Sequence, residues 1–394
     1  MSFDPGAQEI VIDEHVDNVL HSGILRERLQ DPSLGEGTIT LIIRDPNITI
    51  IGGYNLGGRD REEAPLYGCK SLLRIDLKGC TKLTHLGNWA FGWCSSLTSV
   101  SLPDGLTQLG SRVFWECSSL TNVALPDGLT QLGDCVFKGC SSLTSVLFPD
   151  GLTQLGDYVF SECSSLTSVA LPDGVTQLGI NMFARCSSLT SVALPNGITE
   201  LSYSVFSRCS SLTSVALPDG LTQLGYRVFS GCSSLTSVAL PDGLTQLGDF
   251  VFYKCSSLTS VALPDGLTQL DNGVFFDCFS LTSVALPDGI TQLGNLVFEG
   301  CSSLTNAANS AGFSDVVPYL RDRYKCITLR KLILRLLGQY NQAVNEANGN
   351  EIEKHVIALA NFPTDYSSSL DVGLFLQTMN ASGGDGVIGL VGYI

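Results

Sequence analysis

Basic residues are scarce in this chain: 22 Lys and Arg stand against 38 Asp and Glu, for a formal net charge of −16. Recognition of a phosphate backbone needs clustered cations, so no nucleic acid is expected as the main partner. An acidic surface favours solubility and basic partners. Histidine is rarer still, and His15, His21, His85 and His355 are too dispersed in sequence to suggest a site. The chain lacks a P-loop, a C-x-x-C pair, an H-E-x-x-H helix and a G-x-S-x-G elbow, so neither enzyme chemistry nor a cofactor or metal is expected. No run approaches the roughly 18 apolar residues of a membrane span. The start, MSFDPGAQEIVIDEHV, has no basic region followed by an apolar stretch, so a cytoplasmic location is expected, with the cell surface as the alternative.

What the chain does have is a repeat. It is 44% hydrophobic and 15% charged, enough apolar material for a packed core. Cys94, Cys117, Cys140, Cys163, Cys186, Cys209, Cys232, Cys255, Cys278 and Cys301 recur every 23 residues without a slip, a period that signals a solenoid. The unit from Cys163 shows the logic. Leu166, Val169 and Leu171 suit a short strand with apolar side chains turned inward. Pro172-Asp173-Gly174 is a turn, because Pro presets φ, Asp bonds nearby backbone and Gly accepts positive φ. Val175 and Leu178 begin a second extended piece that ends at Gly179. Met182-Phe183, Val-Phe in most units, then sits in a short helical or 3₁₀ turn leading to Cys186. One unit cannot bury its own apolar face, whereas stacked units share a continuous core. At roughly 4.8 Å per rung, ten units would make a column about 50 Å long.

The motif CSSLTSVALPDGLTQLG, followed two residues later by Val-Phe, resembles the BspA-like leucine-rich repeats over about residues 69–305. It departs from the commonest leucine-rich consensus in that no Asn or Cys follows the strand, the Cys preceding it instead. The resemblance implies a leucine-rich-repeat solenoid, stacked short β-strands joined by short helical or 3₁₀ turns, with an N-terminal cap and a helical C-terminal segment. It also implies binding or adhesion, often at the surface of bacteria and protists. Residues 1–68 read as a cap with a degenerate repeat, a strand at Ile10–Ile12, a helix around Val19–Leu29 and a worn strand pair within Ile39–Gly53. Residues 306–394 read as a helical cap or small domain, with one helix face formed by Leu329, Leu332, Ile333, Leu336, Leu337 and Tyr340. Helices are also expected over Glu351–Ala360 and Leu370–Met379. Arg321, Arg323, Lys325, Arg330, Lys331 and Arg335 make part of this segment basic. That is either a solvated cap face or a surface for an acidic membrane or partner.

Stacking identical units creates ladders. The Cys ladder reads as a small buried hydrophobe filling one slot per unit rather than a metal or redox site; Cys135 and Cys80 fall outside it and are expected to be exposed. An Asp ladder (Asp104, Asp127, Asp150, Asp173, Asp219, Asp242, Asp265, Asp288) reads as hydrated turn chemistry, without the further oxygen ligands that Ca²⁺ needs. Thr and Ser ladders suit exposed strands, with binding of a repetitive surface such as ice or a polymer as a remote alternative.

The units differ mainly at four positions, one, two, five and six residues before each Cys. These are expected to project outward as a stripe carrying Arg112, Trp115, Tyr158, Arg185, Tyr203, Arg208, Tyr226, Arg227, Phe250, Tyr253, Lys254 and Phe276. Aromatic residues and Arg dominate interface energetics. A constant frame with varied aromatics and charges therefore reads as a protein-binding or scaffolding surface, with drift after duplication as the competing explanation. A surface adhesin for matrix or glycan is the alternative function, compatible with the sequons at Asn47 and Asn380.

Overall fold

A computed structural model describes residues 8–12, 19–20, 39–51, 66–287 and 289–325. Contacts divide the chain into two compact units, Met1–Leu281 with Gly289–Ser302, and Thr282–Asp288 with Ser303–Ile394.

The first unit is a solenoid of parallel rungs. Most regular coils contribute a three-residue strand and a two-residue strand, such as Asn122–Ala124 and Gln131–Leu132. Coils stack with a 23-residue offset, so Gln131 pairs with Gln108 and Gln154, and Leu132 with Leu109 and Leu155. The alternation expected for half-buried strands is present: Val123 is buried between exposed Asn122 and Ala124. The N-terminal region continues the same stacking. Gln8–Ile12 pairs with Ile39–Ile43, which pairs with Leu72–Asp76 and then Ser99–Ser101, all parallel. Val19–Leu20 is a strand paired with Ile50–Ile51, not the start of a helix, because it occupies the same rung as Gln-Leu in later coils. Its expected continuation to Leu29 lies outside the described residues.

Inside, ten phenylalanines from Phe91 to Phe298 form a single file. Neighbouring ring centroids lie 5.5–5.8 Å apart with interplanar angles of 2–18°, an offset-stacked geometry. The Cys ladder runs beside it. Cys94 donates to the Leu66 carbonyl, and from Cys117 onward each thiol donates to the carbonyl of the Phe one coil earlier, as Cys117 does to Phe91 and Cys209 to Phe183, all at 3.1 Å. Cys at this slot is therefore more than a filler, since it satisfies buried backbone between coils. Burial pushes these thiols up, to about 12 for Cys186, Cys232 and Cys301, which leaves them inert. Cys135 and Cys80 are buried, contrary to expectation. Cys135 is 8% exposed beneath its neighbours, and the Cys80 thiol donates to the Ile43 carbonyl at 3.3 Å. The hydroxyl ladders also bind coil to coil: Thr144 Oγ1 donates to the Thr121 carbonyl at 3.2 Å and Ser141 Oγ to the Ser118 carbonyl at 3.3 Å.

The segment before each Cys is two successive i→i+3 turns rather than a continuous helix. In one coil Trp115 N–H donates to the Arg112 carbonyl and Cys117 N–H to the Phe114 carbonyl, both at 3.2 Å. Residues five and one before each Cys have φ between +54° and +77° in all ten coils. A third backbone ladder holds them there. N–H groups of Arg112, Phe114 and Glu116 donate to the carbonyls of Asp134, Val136 and Lys138 in the next coil, at 2.8, 2.9 and 2.7 Å.

In the second unit, a helix spans Ser302–Ser310, and residues 316–325 are helical. Arg323 donates to the Tyr319 hydroxyl at 3.0 Å, and Phe313 meets the Tyr319 ring edge-on at 5.7 Å. Arg330, Lys331 and Arg335, and the helices expected after residue 325, lie outside the described residues.

Candidate functional site

The stripe positions map onto the paired turns, and two of the four are the left-handed ones. Of twenty such positions among the described residues, four are Gly (Gly139, Gly231, Gly273, Gly300) and sixteen carry side chains. A left-handed conformation costs a side-chain-bearing residue about 1–2 kcal/mol. The third backbone ladder holds it in nine of the ten coils, whose N–H groups donate to the next coil, so bulky residues such as Tyr158 and Phe250 stand where glycine would sit without steric cost. The glycines in turn make room for neighbours: a Cβ on Gly273 would lie 2.4 Å from the Phe250 ring, and one on Gly139 2.8 Å from both Glu116 carboxylate oxygens.

The side chains do not all project freely, as expected, but lie over one another in three groups. In the first, Trp115 meets Trp89 edge-on at 5.1 Å and Trp93 at 5.6 Å, Tyr67 meets Trp89 at 5.6 Å, and the Arg112 guanidinium lies 4.9 Å from the Trp89 ring. All three tryptophans of the chain belong to this group. Trp89 and Trp93, five and one before Cys94, and Tyr67, two before Cys69, follow the same spacing but were not among the expected stripe residues. The middle group is charged. Glu162 lies 3.9 Å from Lys138 and 3.7 Å from Arg185, and Lys138 sits 5.5 Å from the Tyr158 ring. Partial burial, with repulsion from Glu162, raises the Glu116 carboxyl above its ordinary value, against the pull of Lys138.

The third group is the largest. Tyr203 and Tyr226 lie 6.0 Å apart, Tyr226 and Phe250 6.2 Å, Phe250 and Tyr253 5.8 Å, and Tyr253 and Phe276 5.5 Å. The Arg227 guanidinium sits among them, 4.9 Å from Tyr226, 5.3 Å from Phe250 and 5.9 Å from Tyr253. Its Nε is buried without a hydrogen-bond partner. Lys254 Nζ lies 5.1 Å from the Tyr253 ring, and its polar interaction with Tyr253 raises the ammonium above the ordinary range. Arg208 flanks the group, its side chain lying against Gly231. Tyr203 is 57% exposed. The six residues before Cys209 and Cys232 begin with Tyr203 and Tyr226, where, apart from Ser111 and Ile180, the other coils place Asn or Asp. There the shorter side chain ties coils together: Asp157 accepts from Ile180 N–H at 2.7 Å and Asp249 from Asn272 N–H at 2.8 Å.

A second feature was not singled out from the sequence. A cavity of about 530 Å³ runs along the two-residue rungs, lined by His85, Gln108, Gln131 and Gln154 above Leu109 and Leu132. A smaller one of about 270 Å³ adjoins it at Leu155 and is lined by Asp157 and Glu200. The described members of the Asp ladder, Asp104 to Asp265, are exposed along the turns, and no group of three or more metal-ligating side chains converges among the described residues. No helix among the described residues is long and apolar enough to cross a membrane. At the sequon, the Asn47 side-chain oxygen accepts from Lys82 Nζ at 2.9 Å; Asn380 lies outside the described residues.

Comparison with curated proteins finds no match. Among solved structures, a leucine-rich-repeat protein from Bacteroides ovatus is similar at 23% identity, covering 68% of this chain and 86% of its own, with a TM-score of 0.42. A T. pallidum leucine-rich-repeat protein matches at 30% identity over 49% of this chain and 84% of its own, with a TM-score of 0.40. A leucine-rich cell surface protein of Faecalibacterium prausnitzii matches at 26% identity over 68% of this chain and 77% of its own, with a TM-score of 0.45. The family model of the BspA-type leucine-rich repeat region matches six copies over residues 62–190 and 179–305, more than half of the sequence. The chain thus belongs to the BspA-type leucine-rich-repeat family.

Proposed function

We propose that this protein is a non-enzymatic binding or scaffolding module that docks a protein partner on the stripe of paired turns. The observation that carries this reading is the group of Tyr203, Tyr226, Arg227, Phe250, Tyr253 and Phe276: a continuous aromatic surface, partly exposed, around one Arg. Rigid aromatics with an embedded guanidinium supply large contact area at low entropic cost. Two local choices favour binding over drift. Phe250 and Arg227 occupy left-handed positions where Gly would be less strained. Tyr203 and Tyr226 stand where most other coils have the Asn or Asp that ties coils together.

The test is a crosslinking pull-down from native lysate with the intact chain beside a variant carrying Tyr203→Ser, Tyr226→Ser, Arg227→Ser, Phe250→Ser and Tyr253→Ser. The buried Phe file is untouched, so far-ultraviolet circular dichroism should match. Partners captured by the intact chain alone would support the stripe. Equal capture by both would refute it.

A further inference from the structure

The rungs of Gln-Leu strands carry a groove that the proposed docking surface does not use. It is lined over four coils by His85, Gln108, Gln131 and Gln154, with Leu109 and Leu132 beneath. Its volume of about 530 Å³ falls within the range of ligand pockets, and four rungs extend it about 14 Å along the stack. In a chain of net charge −16, no Asp, Glu, Lys or Arg lines it. The amides stand in register, Gln108 Nε2 donating to Gln131 Oε1 at 3.4 Å. That bond uses one donor and one acceptor, so each amide keeps hydrogen-bonding capacity toward the groove. Gly110 and Gly133 leave the edge bare, and a Cβ on Gly133 would lie 2.6 Å from the Gly110 backbone.

We propose that this groove binds a neutral, β-linked oligosaccharide laid along the solenoid axis. Such a chain presents hydroxyls, each both donor and acceptor, to the amide ladder, and C–H faces to the bare glycine edge and to half-buried Leu155 and Ile50. Its sugar units advance by about one rung each, successive units turned over, so a hydroxyl-bearing edge meets an amide at each coil and the full contact repeats every second coil. The lack of charged lining disfavours sulfated or uronic chains, which would leave anionic groups without counter-charges. An extended peptide is a poor fit for two reasons. It binds sheets by pairing with a free strand edge, and here the backbone is already bonded coil to coil, Gly110 N–H to the Leu86 carbonyl and Gly133 N–H to the Leu109 carbonyl, both at 2.8 Å. Its residues also advance only about 3.3 Å, out of step with rungs about 4.8 Å apart.

The experiment uses the full chain, with saturation-transfer NMR and titration calorimetry against three probes: a neutral β-1,4-glucan hexamer, a sulfated glycosaminoglycan hexamer and an uncharged extended decapeptide. The neutral hexamer is expected to bind, and the other two are not. Gln108→Ala, Gln131→Ala and Gln154→Ala combined should weaken it at least tenfold, and Gln131→Arg, which plugs the groove from a partly exposed position, should abolish it. The five-residue stripe variant should bind the hexamer normally, which separates this site from the protein-docking surface. Failure of the neutral hexamer to bind at millimolar concentration, undiminished binding by the two groove variants, or preference for the sulfated chain or the peptide would overturn the proposal.

Discussion

Removing one ring from the Phe file should damage this protein locally and in one dimension. Phe206 is fully buried, with Phe183 and Phe229 stacked on its two faces at 5.6 Å and at 2° and 6°. Phe206→Ala loses the buried ring and leaves a cavity, about 3–5 kcal/mol. Ring–ring contact accounts for about 0.5–1.5 kcal/mol per neighbour within that loss. The neighbour share is measurable in double-mutant cycles with Leu replacements, which keep most of the apolar volume. Phe206→Leu with Phe229→Leu should show a coupling of about 0.5–1.5 kcal/mol. Phe206→Leu with Phe275→Leu should show none, because Phe229 and Phe252 intervene and the two share no contact. Urea unfolding followed by circular dichroism supplies the free energies. Tryptophan fluorescence supplies a second, local reading, since all three tryptophans lie between residues 89 and 115. A solenoid split by Phe206→Ala should unfold by the two probes at different midpoints. Equal coupling at near and distant pairs, or coincident transitions in the Ala variant, would refute nearest-neighbour stacking as the source of stability.

The thiol ladder should be silent to alkylating reagents in the native protein at pH 8 and fully reactive in denaturant, whereas half-exposed Cys69 should label at once; native labelling of Cys209 or Cys232 would contradict their burial and raised thiol values. Cys209→Ala should cost only about 1 kcal/mol for the lost hydrogen bond, because the Phe183 carbonyl still accepts from Cys186 N–H at 3.1 Å; urea midpoints check this. Glu116 has a folded value raised above its ordinary 4.5, so its stabilising effect is complete below that pH and is lost as pH rises through the folded value. Glu116→Gln should therefore be more stable than the parent at pH 7, with the difference vanishing below about pH 4.5; an advantage that persists at pH 3 would rule out this origin.

The 23-residue period of Cys and the in-phase Leu, Val and Phe determined the solenoid from the sequence alone, because a unit with one apolar face has no other way to bury it than against a copy of itself. The inward alternation at Val123 and the Pro-Asp-Gly turns were legible for the same reason: they are local rules of strand and turn. The variable stripe was visible too, since identity elsewhere makes difference conspicuous. Its conformation was not. Left-handed φ at Arg112, Tyr158 or Phe250 has no signal in those residue types, which avoid it; a backbone ladder between coils imposes it, and that ladder exists only once coils are stacked. The same holds for Cys135, buried by neighbours a coil away, and for Val19–Leu20, whose strand pairing with Ile50–Ile51 outweighs its local helical pattern. The grouping of Arg227 with Phe250 and Tyr253, and the amide-lined groove, belong to the tertiary structure alone, because each joins residues of different coils, at least 23 positions apart, that only the stacking distance brings into contact.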